Sequence, residues 1–178
     1  FFPEYKKYGT ITIRQLLNQN SGIADYITAP GFFDTLSNDS HFQGPQLLDI
    51  AYKLKNDFKP GTSWAYSNTN YVLLGMILEQ VYHKPFAALI KEICLKNNIH
   101  DTYYQVSSYS ASMRKQMVHG YFQNKFDVTE LNGSWLESAG ALVSNPANVA
   151  IWYRHLFALD SGVPYFGKHF VDIPSGVL

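Results

Sequence analysis

Between Asn70 and Tyr82 the chain carries Val72, Leu73, Leu74, Met76, Ile77, Leu78 and Val81, apolar side chains that point in nearly every direction around a helix. A helix apolar on most sides is normally buried. The pattern therefore predicts a central helix with the rest of the chain packed around it. Whatever directly precedes that helix is held on a rigid support, which is what a reacting group needs for accurate placement.

The flanking sequence supplies shorter elements. Thr12 and Gln15 fit a capping box, with Leu16 and Leu17 on the apolar face of the helix they open and Ser21-Gly22 closing it. Residues 25–46, rich in Gly, Pro, Asn, Asp and Ser, read as a long loop. Leu47, Leu48, Ala51 and Leu54 recur at helical spacing and predict a helix from Gln46 to Lys55. Pro85 suits the first position of a helix reaching Lys96. Tyr121, Phe122, Phe126 and Val128, with Gln123-Asn124-Lys125 between them, predict a hairpin. Ser144-Asn145-Pro146 starts a last helix carrying Val149, Ile151, Trp152, Leu156 and Phe157. The fold class expected is mainly α with a small β element, in one domain, as suits 178 residues.

Composition removes several function classes. Lys plus Arg and Asp plus Glu are 14 each, and a neutral chain without a basic patch is a poor phosphate binder, so no nucleic-acid partner is expected. No apolar run is long enough to span a membrane. The aromatic content of 16% fits a core rich in Tyr and Phe, with a carbohydrate- or peptide-binding face as the other reading. Cys94, the one cysteine, reads as a small buried apolar residue. The six histidines (41, 83, 100, 119, 155 and 169) never form His-x-x-x-His, which argues against a zinc hydrolase. No Gly-x-Ser-x-Gly elbow and no Gly-rich phosphate loop occur. No metal or organic cofactor is implied.

The tripeptide Tyr66-Ser67-Asn68 lies just before the central helix. On its own its bland reading is structural: Ser67 or Asn68 caps the helix and Tyr66 packs in the core. Its context reads differently. The run from Lys59-Pro60-Gly61-Thr62 through Tyr66-Ser67-Asn68 to Gly75 resembles the second catalytic box of the penicillin-recognising serine hydrolases, the group of class C β-lactamases, D-alanyl-D-alanine carboxypeptidases and related esterases. Three more segments match in the same order. Ile11 to Ile23 is similar to the family's helix ending in Thr-Ser-Gly, with Asn20 in place of Thr. Asn98 to Tyr104 resembles its Gly-Met-x-x-Thr turn. Ala139-Gly140-Ala141-Leu142-Val143-Ser144 resembles its Ala-Gly-Gly-Leu-Val-Ser segment, with Ala141 in place of the second Gly. The resemblance spans about residues 1 to 160.

The resemblance implies the helical subdomain of an α/β, β-lactamase-like (transpeptidase-like) fold, and it makes Tyr66 and Asn68 the catalytic candidates. In the family the box Tyr acts as or supports the general base, and the Asn bonds substrate and a Lys. A free Tyr has a pKa near 10 and is a poor base, but a neighbouring ammonium would lower it. An Asn side chain donates and accepts at once, so it can bridge the two.

The family's nucleophile box, Ser-x-x-Lys, and its third box, Lys-Thr-Gly or His-x-Gly, have no counterpart in position here. The chain opens on Phe1-Phe2-Pro3 without an initiator Met or a signal peptide, and it reads as residues 1–178 of a single partial domain. Ser112-Met113-Arg114-Lys115 fits Ser-x-x-Lys literally, but its polar, Ser-rich setting predicts a solvated helical turn. Lys59-Pro60-Gly61 imitates Lys-x-Gly within a turn. The expectation is a piece of a serine hydrolase, periplasmic or secreted by family resemblance, and inactive as an isolated chain. Its parent would act through an acyl-enzyme on a peptidoglycan stem peptide, a β-lactam or an ester. The alternatives are a non-catalytic peptidoglycan- or penicillin-binding module and a purely structural helical piece.

Overall fold

A computed structural model describes residues 1–37, 39–107 and 109–157. His169 and the rest of residues 158–178 lie outside the described residues. Among the described residues the helices are α1 (Ile13–Leu17), α2 (Gly44–Lys53), α3 (Asn68–Tyr82), α4 (Phe86–Lys96), α5 (Ala111–Arg114) and α6 (Pro146–Phe157). The strands are β1 (Tyr103–Tyr104), β2 (Tyr121–Phe122), β3 (Phe126–Asp127) and β4 (Leu142–Val143). None of these helices is long and apolar enough to cross a membrane.

The central helix starts two residues earlier than its apolar pattern suggests, at Asn68, because Asn68 and Thr69 already turn inward as buried polar residues. It divides the core. Leu73 and Ile77 meet Tyr5, Tyr8, Leu16, Ile23 and Leu48 on one side, while Val72 meets Tyr26, Phe32, Leu47 and Ala51 on the other. Burial all round holds only for its first half. Leu78, Val81 and Tyr82 near its C-terminus are exposed. Hydrophobic spacing records how apolar each face is, not which element covers it.

The capping box is present: Gln15 N–H donates to Thr12 Oγ1 at 3.2 Å, and Thr12 N–H donates to Gln15 Oε1 at 3.0 Å. Inside the expected long loop sit two short 3-10 turns, Tyr26–Thr28 and Phe33–Thr35. The second helix starts at Gly44 rather than Gln46, with Gln43 and Gln46 in a reciprocal capping arrangement. Pro85 takes the position just before α4 rather than its first residue. No residue of α4 is fully buried. Cys94 is only half-buried there, which corrects the buried reading.

The hairpin pairs β2 with β3, Phe122 opposite Phe126, around left-handed Gln123 and Asn124. A second antiparallel pair joins β1 to β4, Tyr104 opposite Leu142. Two of the four segments that carry the family resemblance are thus hydrogen-bonded to each other. Gln105 N–H donates to the Ala141 carbonyl at 2.7 Å, and the hydroxyls of Thr102 and Ser144 lie 2.6 Å apart. Ala141, where the family has Gly, sits at φ +56°, a left-handed backbone that costs an L-residue about 1–2 kcal/mol. Gly75 serves close approach instead: a Cβ there would come within 2.3 Å of Ser138 Cβ. Without that side chain the turn Glu137–Ala139 lies directly on α3, and Ser138 Oγ donates to the Tyr71 carbonyl at 2.9 Å.

Candidate active site at the start of the central helix

The N-terminus of α3 needs partners for its first N–H groups. Ser67 holds the N-cap position, but its side chain makes no capping bond, and its buried Oγ has no hydrogen-bond partner among the described residues. The cap comes from 43 positions earlier: Asp25 Oδ2 accepts from Asn68 N at 3.0 Å and from Asn68 Nδ2 at 2.8 Å. Asp25 Oδ1 also accepts from Ile27 N at 3.3 Å. The bland reading of the tripeptide is therefore wrong in both parts. Neither Ser67 nor Asn68 is the side-chain cap, and Tyr66 is not in the core but 52% exposed.

Tyr66 and Asn68 are brought together. The Tyr66 hydroxyl donates to Asn68 Oδ1 at 3.2 Å. Beneath them lies a buried polar layer. Gln19, at φ +58°, accepts at Oε1 from Ser67 N at 2.9 Å and from Asn70 Nδ2. Ser21 Oγ donates to Asn70 Oδ1 at 2.6 Å. Thr69 Oγ1 donates to the Ala24 carbonyl at 2.8 Å and accepts from Tyr26 N at 3.1 Å. Asn20 stands where the family has Thr, and its carbonyl accepts from Gly61 N at 2.8 Å. This layer ties the Ile11–Ile23 segment to the Lys59–Gly75 segment. These bonds between buried polar groups hold Tyr66 and Asn68 on one floor, in which Gln19 Nε2, Asn20 Oδ1 and Ser67 Oγ have no hydrogen-bond partner among the described residues.

The electrostatics of Tyr66 run against the simplest version of a tyrosine base. Partial burial, then the neighbouring Tyr71 and Asp25, push its phenol above the ordinary value of 10. A cation beside it would act in the opposite direction. With the surroundings described, Tyr66 is a phenol at neutral pH and a hydrogen-bond donor.

The two look-alike motifs lie elsewhere. Ser112 is exposed on α5, Lys115 follows at its exposed end, and Arg114 pairs with Glu130 at 2.9 Å, as a solvated turn predicts. Lys59-Pro60-Gly61 is a turn, closed by Thr62 N–H on the Lys59 carbonyl at 3.1 Å. Among the described residues no three His, Cys, Asp or Glu side chains gather as a metal site.

Sequence reading missed Asp25 and Gln19. Ser67 already stands as a local candidate for the cap of α3, so nothing in the sequence points to Asp25.

The model of the beta-lactamase family matches residues 2–164. The chain belongs to the beta-lactamase family. It is 36% identical over 86 residues to penicillin-binding protein 4* of Bacillus subtilis (strain 168), a match covering 47% of this chain and 19% of that protein. It is 37% identical over 90 residues to protein flp of Staphylococcus aureus (strain NCTC 8325 / PS 47), covering 49% of this chain and 17% of that one. Among solved structures, the D-stereospecific amidohydrolase from Streptomyces sp. superposes with a TM-score of 0.74 at 29% identity, over 85% of this chain and 52% of that chain. The D-amino acid amidase from Ochrobactrum anthropi SV3, complexed with L-phenylalanine, gives 0.76 at 28% identity, over 88% of this chain and 45% of that chain. The chain thus spans under a fifth of the curated relatives' length and about half that of the solved structures. It is a beta-lactamase-like chain in a family of hydrolases, and its mainly helical fold with small strands is the one the motifs imply.

Proposed function

We propose that this chain forms one wall of the active site of a serine hydrolase, as a partial domain of a longer protein, with Tyr66 and Asn68 as its catalytic contribution. The observation that carries this reading is the half-exposed Tyr66 hydroxyl held on Asn68 Oδ1 at the start of α3. In the reaction a serine Oγ attacks a carbonyl carbon and its proton passes to a neutral lysine amine beside Tyr66, or to Tyr66 as the phenolate that a neighbouring ammonium would stabilise. The leaving amine or alcohol takes that proton as the C–N or C–O bond breaks, and water then releases the acyl group.

The serine and lysine come from outside these 178 residues, because the sequence's one Ser-x-x-Lys is the exposed turn at Ser112. The isolated chain is then inactive. Substrates are amides or esters: a peptidoglycan stem peptide, a β-lactam or a short ester. Likeness to a D-stereospecific amidohydrolase and a D-amino acid amidase favours an amide next to a D-residue. The setting is periplasmic or secreted.

The test is Tyr66→Phe in the full-length protein. Acylation by a fluorescent penicillin or a short-chain ester should slow by roughly 100- to 10,000-fold, with the thermal midpoint unchanged. An unchanged rate would remove Tyr66 from the mechanism. A stoichiometric adduct of the isolated chain mapped to Ser112 would overturn the whole reading.

A further inference from the structure

We infer that Asp25 is a positioning residue for Asn68, fixing which end of the Asn68 amide faces the cleft. The inference rests on the reading of Tyr66 and Asn68 given above.

The two ends of an asparagine amide are nearly the same shape and opposite in chemistry, and hydrogen-bond partners tell them apart. Asp25 Oδ2 lies 2.8 Å from Asn68 Nδ2. Turning the amide over would set Asn68 Oδ1 against that carboxylate, acceptor facing acceptor, and would break the bond from the Tyr66 hydroxyl. The same Oδ2 also accepts from the Asn68 backbone N–H at 3.0 Å, which fixes the carboxylate beside the amide it orients, so rotating the side chain away would forfeit the Nδ2 bond. The carboxylate itself is fixed by burial, at 7% exposure, and by its third donor, Ile27 N.

The chemistry left over at Asn68 is therefore defined. Oδ1 has used one lone pair on Tyr66, and the other is available to an ammonium or an N–H. Nδ2 has used one N–H on Asp25, and the other is available to a carbonyl. Asp25 also places negative charge near Tyr66 and opposes its ionisation. The pair thus calls for a cation on the open side of the Tyr66 hydroxyl. An exposed Ser or Thr cap would fill the helix N-terminus without doing either of these things.

The test uses the full-length hydrolase and the variants Asp25→Asn and Asp25→Ser, alone and combined with Asn68→Ala. Turnover of a chromogenic short-chain ester is followed as kcat and KM, together with the thermal midpoint. Asp25→Asn should lower kcat by roughly 10- to 100-fold with KM nearly unchanged, the scale expected of a misplaced contact group. In the Asn68→Ala background the same substitution should add little. An equal loss in both backgrounds, or an unchanged kcat, would overturn the inference. So would failure of both Asp25 variants to fold, because the carboxylate then serves the fold. Full activity of Asn68→Ala and Tyr66→Phe would instead sink the reading of the site, a result distinct from loss in those two but not in Asp25→Asn.

Discussion

Residues 1–82 and residues 86–157 are built in different ways. The first region holds nearly all of the buried hydrocarbon, from Tyr5 and Tyr8 through Leu47, Leu48 and Val72 to Ile77. In the second, Ile99 is the one buried large apolar side chain among the described residues. Neither α4 nor α6 buries an apolar residue fully, and Ile93, Leu95, Val149, Trp152, Tyr153 and Phe157 are exposed on them. The second region is joined to the first by Trp135 and Ala139, which pack against its core, and by specific polar contacts. Tyr26 donates to the Trp135 carbonyl at 2.7 Å, Phe42 N–H donates to Ser134 Oγ at 2.9 Å, and Ser138 bonds to α3. The seat of Tyr66 and Asn68 therefore depends on the first region's core, and the second region supplies a docked edge.

Four measurements would break or sharpen this contrast. The largest effect should come from Leu48→Ala, which opens a cavity at a fully buried site and should cost about 2–5 kcal/mol in urea unfolding. The matching change in the second region, Leu95→Ala, should stay within about 0.5 kcal/mol. Comparable losses would show that the second region hides a core of its own.

Alkali should act on both regions, since burial and the bond to Glu137 push Tyr104 up in the second as well. Burial, and then the bond to Asp49, push Tyr5 up to about 12, and burial pushes Tyr8 and Tyr26 higher still. The folded state thus holds these protons more tightly than the unfolded chain does. Their contribution to stability is complete below the ordinary tyrosine value of 10 and is lost as pH rises from there past about 12. Near-ultraviolet circular dichroism should show packing lost across that window; a fold indifferent to it would contradict the burial described.

A smaller signal is expected from a hydrophobic dye. The exposed apolar residues of α4, α6 and the β2–β3 hairpin should bind it, and Trp152→Lys should weaken that binding without changing the thermal midpoint. A dye-silent monomer would contradict that exposure. The smallest effect is a gain: Ala141→Gly should relieve the left-handed backbone and stabilise the chain by up to about 1 kcal/mol in thermal unfolding.

Local features were legible in the sequence. Thr12 and Gln15 lie three residues apart, the hairpin turn lies between its strands, and Asn145 caps α6 by accepting from Asn148 N at 2.9 Å. Each of these needs only neighbours. Tyr66 and Asn68 stand out through resemblance, and their 3.2 Å contact joins residues only two apart. What the sequence hid spans distance. The Asp25 cap, the β1–β4 pair and the exposed end of α3 are set by chain segments tens of residues apart, and no periodicity records them. Asp25, in a stretch full of turn formers, looked like one more of them.

The pairing of β1 with β4 has a consequence for how such a protein can diversify. It clips together the two ends of an excursion, and residues 132–139 anchor the returning arm on the core. From Ser110 to Leu131 the polar contacts close largely within the stretch itself: Arg114 with Glu130, His119 with Asp127, and Gly120 N–H with Thr129 Oγ1. Lengthening or rewriting that stretch leaves the clip and the anchored arm in place. It is a self-contained segment at the margin of the fold, and changing its surface does not touch the hydrogen bonds around Tyr66.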